Sequence, residues 1–215
     1  MKKYELTEET VTVYGKTLYR IRAVRDFGSV KTGEFGGYIE KEENLSHFGN
    51  AWVSGNAWVF DNARVYDNAW VFGNAWVFDN ARVYDDTWVY GNAKVYDDAW
   101  VCGDAWVFGN AKVYDDAWVC GDAKVYGDAW VSGNAEVFNT RHFFVQGPIG
   151  SRNGFITFYR TKDNTVEVRC GCFSGSLQKF VDRVEETHGG SRYEKEYKLA
   201  AELAKVCIRL EGESR

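Results

Sequence analysis

The chain has 215 residues, of which 45% are hydrophobic and 17% aromatic, and it carries a net charge of −5. It is long enough to bury a real core. Residues 50–140 contain thirteen acidic and five basic side chains. This acidic stretch disfavours direct binding of nucleic acid, which requires neutralisation of phosphates by basic residues.

The N-terminal sequence and the cysteine content predict the compartment in which the protein is found. Residues 1–5 lead into no apolar segment of the kind that signal peptides contain, and no apolar run approaches membrane-spanning length. The five cysteines are odd in number and show no disulfide-framework spacing, so we expect reduced thiols. These features predict a cytoplasmic protein without a membrane partner.

The N-terminal segment predicts a β-hairpin. Residues 9–14 and 17–24 are strand-like and flank a turn at Gly15 and Lys16. We expect residues 1–38 to cap the first coil of the repeat that follows. Caps matter because the open ends of a solenoid are sheet edges that invite end-to-end polymerisation.

A six-residue repeat dominates the middle of the chain. Fifteen valines recur every six residues from Val53 to Val137, each within nearly the same hexad, whose consensus is Ala-x-Val-aromatic-Gly/Asp-Asn/Asp. A short fixed period predicts a solenoid. Because side chains alternate along a strand, Ala and Val share one side, and the residues flanking Val share the other. Rows of Ala and Val fit a narrow core at native density, so the aromatic residues point outward.

The end of each hexad predicts a corner. Gly or Asp followed by Asn or Asp accepts tight turns and left-handed backbone conformations. Three hexads would form one triangular coil of eighteen residues, with coils about 4.8 Å apart. We place this solenoid at residues 39–140, with a regular interior from Ala51, because Lys41 and His47 replace valine upstream.

The hexads resemble the hexapeptide repeat of left-handed parallel β-helices, in which an aliphatic residue is followed four positions later by a small one. The left hand follows from this resemblance alone, against the usual right-handed crossover. Residues 18–23 and 35–46 resemble the N-terminal segment of phage, prophage and bacterial hexapeptide-repeat proteins. This likeness covers residues 1–140 and implies a phage-type origin without implying an activity.

Residues 141–215 predict a small α+β domain that docks on the last coil. Three strands are expected at residues 142–146, 154–160 and 165–170, followed by two helices separated by Gly189 and Gly190.

The second helix of this domain has a start signal and an apolar stripe. Ser191 and Glu194 form a capping-box pattern. The stripe consists of Leu199, Leu203, Val206 and Leu210. Residues 147–151 and 170–175 resemble a C-terminal module found on phage proteins with other repeat types, which implies a separate role for the module.

Outward aromatic residues form the strongest functional signal. Stacking by eighteen residues aligns a row of tryptophans with a second row beside it: Trp52, Trp70, Trp88 and Trp106, with Phe72, Tyr90 and Phe108. Ring stacking, worth about 0.5–1.5 kcal/mol per pair, explains part of this pattern. The apolar area of this row also exceeds that of an ordinary exposed patch on a monomer. In addition, Trp and Tyr are frequent anchors of protein interfaces. We interpret these seven residues as a protein-binding surface, with a carbohydrate platform as a weaker alternative.

A second row lies at the corners and consists of Asp61, Asp79, Asp97 and Asp115. Carboxylates about 4.8 Å apart repel each other by roughly 1 kcal/mol even in water. The leading interpretation is turn chemistry, since Asp suits corner conformations. Calcium binding would need converging carboxylates. Mimicry of a DNA backbone fits the acidic charge, but tryptophans and five basic residues interrupt it.

A glycine-rich loop offers one candidate ligand site. Gly147, Gly150 and Ser151 could form a backbone nest for an anion, assisted by Arg152. The strand–loop–helix context of a P-loop is missing. A plain connection between two strands is therefore the leading interpretation.

Catalysis is not expected. Left-handed β-helices include acyltransferases, which use a histidine near the coils and a loop excursion, and carbonic anhydrases, which bind zinc through three histidines. The histidines here are His47, His142 and His188, and no hexad between residues 51 and 138 carries an insertion. An active site needs loops positioned on a scaffold. We therefore expect that the protein is not an enzyme and that it binds neither a cofactor nor a metal ion.

The remaining cysteine pairs add little chemistry. Cys170 and Cys172 supply two soft ligands without further ligands nearby in the sequence, so we expect no zinc site there. Cys102 and Cys120 are predicted to be stacked neighbours on one face, where a disulfide would depend on their geometry.

The leading hypothesis is a phage-encoded, non-catalytic protein that binds a host protein, or a second copy of itself as a homo-oligomer, in the bacterial cytosol. Inhibition of a host defence system is its concrete form. The alternatives are sequestration of a nucleotide or other anion by the C-terminal domain, an acidic DNA mimic, and a structural filament, which the two predicted caps disfavour.

Overall fold

The computed structural model describes residues 2–212 and shows a parallel β-solenoid of about six turns with a small C-terminal region of helices and sheet. The predicted fold class is confirmed, while the left hand stays a prediction from the resemblance. Within residues 2–212, no helix is long and apolar enough to cross a membrane.

The N-terminal hairpin consists of β1 (Tyr4–Val13) and β2 (Lys16–Ala23). Tyr14 and Gly15 connect them with φ angles of 48° and 78°, the two left-handed conformations that a tight hairpin turn of this type requires. The hairpin is confirmed, although its first strand begins at Tyr4 rather than at residue 9 and its turn is Tyr14–Gly15 rather than Gly15–Lys16.

A third strand joins the hairpin to the solenoid. β3 (Phe35–Ile39) pairs antiparallel with β2 on one side and parallel with Trp58–Val59 on the other. A 3-10 helix at Glu42–Asn44 follows. The hairpin is therefore continuous with one sheet of the solenoid, and the cap cannot separate from the coils without breaking that sheet.

Fifteen two-residue strands build the solenoid. They are Trp52–Val53 (β4), Trp58–Val59 (β5), Arg64–Val65 (β6), Trp70–Val71 (β7), Trp76–Val77 (β8), Arg82–Val83 (β9), Trp88–Val89 (β10), Lys94–Val95 (β11), Trp100–Val101 (β12), Trp106–Val107 (β13), Lys112–Val113 (β14), Trp118–Val119 (β15), Lys124–Val125 (β16), Trp130–Val131 (β17) and Glu136–Val137 (β18).

These strands stack into three parallel sheets, one on each side of the coil. The orders are β4-β7-β10-β13-β16, β6-β9-β12-β15-β18 and β5-β8-β11-β14-β17, and the last continues into β3, β2 and β1. Each residue pairs with the residue eighteen positions later, as Trp70 does with Trp88. The Trp70 N–H donates to the Thr87 carbonyl at 2.9 Å, so the backbone of each coil is satisfied by the next.

The interior follows the predicted phase. The alanines and valines of the hexads from Ala51 to Val137 are at most 1% exposed and form one continuous cluster. Thr87 replaces alanine once, and its buried hydroxyl donates to the Tyr84 carbonyl at 2.7 Å. The aromatic residues lie on the outside because small, branched side chains already fill the core.

The C-terminal region is a sheet of four strands packed against two helices. The elements are β19 (Phe143–Ile149), β20 (Gly154–Arg160), β21 (Val166–Cys170), β22 (Phe173–Ser176), α1 (Leu177–His188) and α2 (Arg192–Cys207). The expectation of three strands was wrong: β22 forms a hairpin with β21 across the turn at Gly171 and Cys172. Its Ser and Gly content hides it in the sequence.

The second helix starts as predicted, but a different face of it packs against the domain core. The Ser191 hydroxyl accepts the Glu194 N–H at 3.3 Å, which confirms the cap. Leu199, Leu203 and Val206, however, are 71%, 47% and 79% exposed. Tyr197 and three alanines face the domain core instead, because the alanines let the helix approach its neighbours closely while Tyr197 fills the remaining space.

Both ends of the solenoid are covered. At the N-terminal end, Tyr4 and Phe27 pack on the first coil within the main cluster. At the C-terminal end, Phe143 and Tyr159 extend the same cluster, and the Trp130 N–H donates to the Thr157 hydroxyl at 2.9 Å. These contacts satisfy edge groups that would otherwise template polymerisation.

Candidate functional site

One side of the solenoid carries two parallel rows of rings, which we call the aromatic face. It is the outer surface of the β4-β7-β10-β13-β16 sheet and consists of Trp70, Trp88, Trp106, Phe72, Tyr90, Phe108 and Tyr126. The strict eighteen-residue register positions every ring above its counterpart in the next coil.

The rings of the aromatic face stack closely. Centroids of Phe72 and Tyr90 are 4.8 Å apart with planes 3° from parallel, and those of Tyr90 and Phe108 are 5.0 Å apart. Trp88 and Trp106 stack at 5.4 Å. Stacking fixes the side chains in place, yet Trp88 remains 43% exposed. The result is a rigid apolar surface that still meets solvent.

Trp52 does not belong to this exposed surface, contrary to the expectation from the row. It is fully buried, with Phe27 packed edge-on against it at 5.3 Å and Tyr4 at 6.4 Å. The N-terminal cap covers the first coil at this position. The exposed row therefore begins at Trp70, which is half-buried.

The second face, over β5-β8-β11-β14-β17, is covered at both ends by the chain itself. Phe60 is 1% exposed and packs in a cluster with Val13 and Leu18 of the hairpin. Near the other end, the Arg169 guanidinium lies 5.3 Å from the ring centroid of Tyr114. Between them, the Lys94 amine lies 3.9 Å above Trp76.

The third face, over β6-β9-β12-β15-β18, mixes cations, rings and sulfur. Arg82 lies over Trp100 at 4.8 Å, and Trp100 stacks on Trp118 at 5.0 Å. Cys102 and Cys120 are joined by a disulfide with a Cα–Cα distance of 4.5 Å. The expectation that all cysteines are reduced was wrong for this pair, because the coil register brings their side chains together.

The two edges of the aromatic face differ in charge. The edge that precedes strands β7, β10, β13 and β16 is acidic and carries Asp67, Asp85, Asp86, Asp104 and Asp122. The opposite edge is a ladder of amides, in which Asn74 donates to Asn92 at 3.2 Å and Asn92 donates to Asn110 at 3.1 Å. The ladder ends at Asp128, whose carboxylate accepts from Asn110 at 2.9 Å, so most of the negative charge around this face lies on the first edge.

The predicted Asp row lies at a corner with left-handed backbone. Asp61, Asp79, Asp97 and Asp115 have φ angles of 59°, 57°, 56° and 57°. The Asp115 carboxylate accepts the Gly133 N–H at 3.0 Å, and Lys16 forms an ion pair with Asp61. Burial, with the neighbouring acidic groups, raises the pKa of Asp97. These contacts favour turn chemistry, and no group of three potential metal ligands converges anywhere in residues 2–212.

A cleft of about 710 Å³ separates the last coils from the C-terminal domain, and we call it the basic cleft. Its cationic side chains are Lys112 from the solenoid and Arg152, Arg169 and Arg183 from the domain, whereas Asp128 is the only acidic residue among the described residues that line it. Arg169 also fixes the domain on the coil, because its Nε donates to the Ser132 hydroxyl at 3.1 Å.

The proposed backbone nest is only partly available. The Gly150 N–H donates to the Glu196 carboxylate at 2.7 Å, so a carboxylate of the chain already occupies it. Gly147 lies against the Phe155 ring, where a Cβ would come within 2.5 Å of it. Ser151 and Arg152, by contrast, line the basic cleft.

The histidines are spread across the chain. His47 stacks on Tyr4 at 4.3 Å within the cap. His142 accepts the Phe138 N–H at 3.3 Å, and burial, helped by Arg160, lowers its pKa. His188 lies in the basic cleft beside Tyr197. The structure does not bring them together.

Comparison with known proteins supports the repeat. The family described as YdcK Beta solenoid repeat matches residues 63–78 and 75–91, which lie within the stacked hexads. The hexads of this chain are similar to that repeat. The match covers a small part of the chain, so it supports the architecture of the coils and leaves the two ends unassigned. A search of curated proteins found no match.

The basic cleft is the feature that sequence reasoning missed. Of its four cations, only Arg152 is predicted from the sequence as a candidate ligand-binding residue, and there as part of a loop rather than of a cleft. Lys112 is one of the five basic residues within the acidic stretch of residues 50–140. No short-range pattern links it to Arg152, because only the docking of the domain brings the two elements to one cleft.

Proposed function

We propose that this protein is a non-catalytic binding protein whose aromatic face contacts another protein. The observation that carries the proposal is the difference between the faces. The second face is covered by the hairpin and the C-terminal domain, whereas the middle of the aromatic face is left open, with Trp88 the most exposed of its tryptophans. Rigid, amphipathic aromatic side chains bind with little loss of conformational freedom.

The charge around the aromatic face defines the chemistry of the partner. An edge with five carboxylates on one side and an amide ladder ending in a single carboxylate, Asp128, on the other favour a protein with an apolar patch bordered on one side by Lys or Arg. Charge complementarity of this kind steers association and fixes orientation. A second copy of the chain is the alternative occupant, and the experiment below distinguishes it.

We further propose that the protein is phage-encoded and that its partner is a protein of the bacterial host, with inhibition of a defence system as the concrete form. This part rests on the resemblance of residues 18–23 and 35–46 to phage-type hexapeptide-repeat proteins. The location that follows from it is the host cytosol.

The remaining functional alternatives receive less support from the geometry. The Asp row is held at positive φ and accepts backbone N–H groups, which favours a role in the corners over imitation of a DNA backbone. The covered ends disfavour a filament built by end-to-end pairing of coils.

A substitution that the solenoid already tolerates tests the aromatic face. Trp88→Lys replaces an exposed ring by a residue that occupies the same hexad position at Lys124 of the same row. Trp118→Lys on the third face is the matched control, since Trp118 is 41% exposed and also precedes a core valine. Tagged full-length chains would be used to capture proteins from bacterial lysate, and self-association would be measured by sedimentation.

The supporting result is a protein captured by the wild type and by Trp118→Lys, but lost at least about ten-fold with Trp88→Lys, as expected when an interface anchor is removed. Equal capture by all three chains would contradict the proposal. Self-association of the wild type that Trp88→Lys abolishes would instead assign the face to a second copy.

A further inference from the structure

The basic cleft lies at the junction between two parts of the chain. Lys112 and Trp130 form its solenoid wall, while the β19–β20 loop, β21 and α1 form the domain wall. Its volume of about 710 Å³ falls within the range of about 300–1,000 Å³ that is typical of small-molecule sites. Domain junctions are a common place for such sites.

The cleft concentrates positive charge on an acidic protein. Lys112, Arg152 and Arg169 have no ion pair within 4.0 Å among the described residues, and the fourth cation, Arg183, pairs only with the exposed Glu186. Lys112 rests on the Trp130 ring at 4.1 Å. Burial and the charge of Lys112 lower the pKa of Lys94 in the adjacent coil, as expected where positive charge is not neutralised.

The walls between these cations are apolar and aromatic. Trp130, Phe155 and Phe173 line the cleft, and Phe155 is 38% exposed. Ser151, Thr187 and Tyr197, whose side chains carry hydroxyl groups, also line the cleft. The cleft thus offers aromatic surface to a flat ring, and both charged donors and hydroxyl groups to an anionic oxygen.

We propose that the basic cleft binds a nucleotide, that is, a small phosphate ester carrying a flat ring. Lys112 and Arg152, which have no ion pair among the described residues, match a group with more than one negative charge, which favours a phosphate over a single carboxylate. Arg169 adds positive charge beside them while its Nε donates to the Ser132 hydroxyl. Arginine guanidinium groups bind phosphate oxygens through paired hydrogen bonds. The aromatic walls account for the ring, since bare phosphate would leave them uncovered.

Calorimetry on the full-length protein tests this site with three probes: AMP, adenosine and inorganic phosphate. AMP binds with one site per chain. Adenosine and phosphate each bind at least about ten-fold more weakly, because each lacks one half of the recognised group. Phosphate that binds as tightly as AMP would overturn the nucleotide assignment. Tighter binding of a short single-stranded oligonucleotide than of AMP would overturn the assignment of the cleft to a small-molecule ligand.

Two variants locate the site, and two controls distinguish it from general effects. Arg152→Glu and Lys112→Gln each weaken AMP binding, the first by about ten-fold or more, since a charge-assisted contact becomes a repulsion. Arg141→Glu changes an exposed arginine outside the cleft and leaves the affinity unchanged. Trp88→Lys also leaves it unchanged, which separates this site from the aromatic face. Equal weakening by Arg152→Glu and Arg141→Glu would reduce the binding to nonspecific attraction and overturn the proposal, as would wild-type affinity in both cleft variants.

Discussion

The solenoid and the C-terminal domain place their charged groups in different ways. In the coils, carboxylates lie at corners where they accept backbone N–H groups, and Lys94 and Arg82 lie over tryptophan rings. In the basic cleft, Arg152 pairs with no carboxylate or aromatic ring within residues 2–212. In a repeat, a charged side chain at a given hexad position has similar contacts in every coil. The irregular junction leaves charge available, and available charge is what a ligand recognises.

The largest predicted effect contrasts a valine of each region. Val95→Asp introduces a carboxylate into the fully buried solenoid core, where no partner exists for it. We expect the free energy of unfolding to fall by more than about 4 kcal/mol. Val206→Asp on α2, at a position that is 79% exposed, should change it by less than about 0.5 kcal/mol. Chemical denaturation measures both, and a well-folded Val95→Asp variant would show that the interior admits water.

An intermediate effect separates a corner inside the stack from one at its end. Gly109 and Gly127 both have positive φ, at 74° and 66°. A Cβ at Gly109 would come within 3.0 Å of the Gly127 nitrogen, whereas one at Gly127 would meet nothing within 4 Å. We expect Gly127→Ala to cost about 1–2 kcal/mol from the left-handed backbone alone, and Gly109→Ala to cost more. Equal losses in the free energy of unfolding, measured with guanidinium, would mean that contact with the next coil does not destabilise the Gly109 variant further.

The smallest predicted effect concerns the charge of a corner carboxylate. The pKa of Asp97 is raised, first by burial, so its ionised form is less favourable in the folded state than in the unfolded state. Asp97 therefore reduces stability above that pKa, and the reduction disappears as the pH falls through it. Asp97→Asn should raise the melting temperature slightly at pH 7, with a gain that vanishes in acid. Asp104→Asn, which removes the same charge at an exposed corner position, serves as the control.

The sequence predicted the repeating part well because its determinants are local. The valine phase and the alternation of a strand are sufficient to decide which side chains of a hexad point inward, and the Gly and Asp corners identify the turns. Trp52 shows the limit of this reasoning. Its hexad shares the Ala-Trp-Val pattern of the coils that follow, but Phe27 and Tyr4 bury it, and their position depends on an N-terminal cap distant in sequence.

The C-terminal domain was harder to predict because its contacts are non-local. The leucine stripe of α2 has a regular helical period, yet alanines face the sheet. Periodicity identifies a helix but does not decide which of two acceptable faces is covered. Prediction of the basic cleft would also require the position of the docked domain. Lys112 and Arg152 lie forty residues apart and line the same cleft only because the domain docks on the coils.

The unbroken register has a geometric consequence. Trp70, Trp88 and Trp106 are related by a translation of one coil, so removing eighteen residues in phase would leave the order of the three faces unchanged. It would only bring the hairpin and the basic cleft closer together by one strand spacing, about 4.8 Å. The coils therefore act as a ruler, in which the number of repeats sets the distance between the two ends independently of what each end contacts.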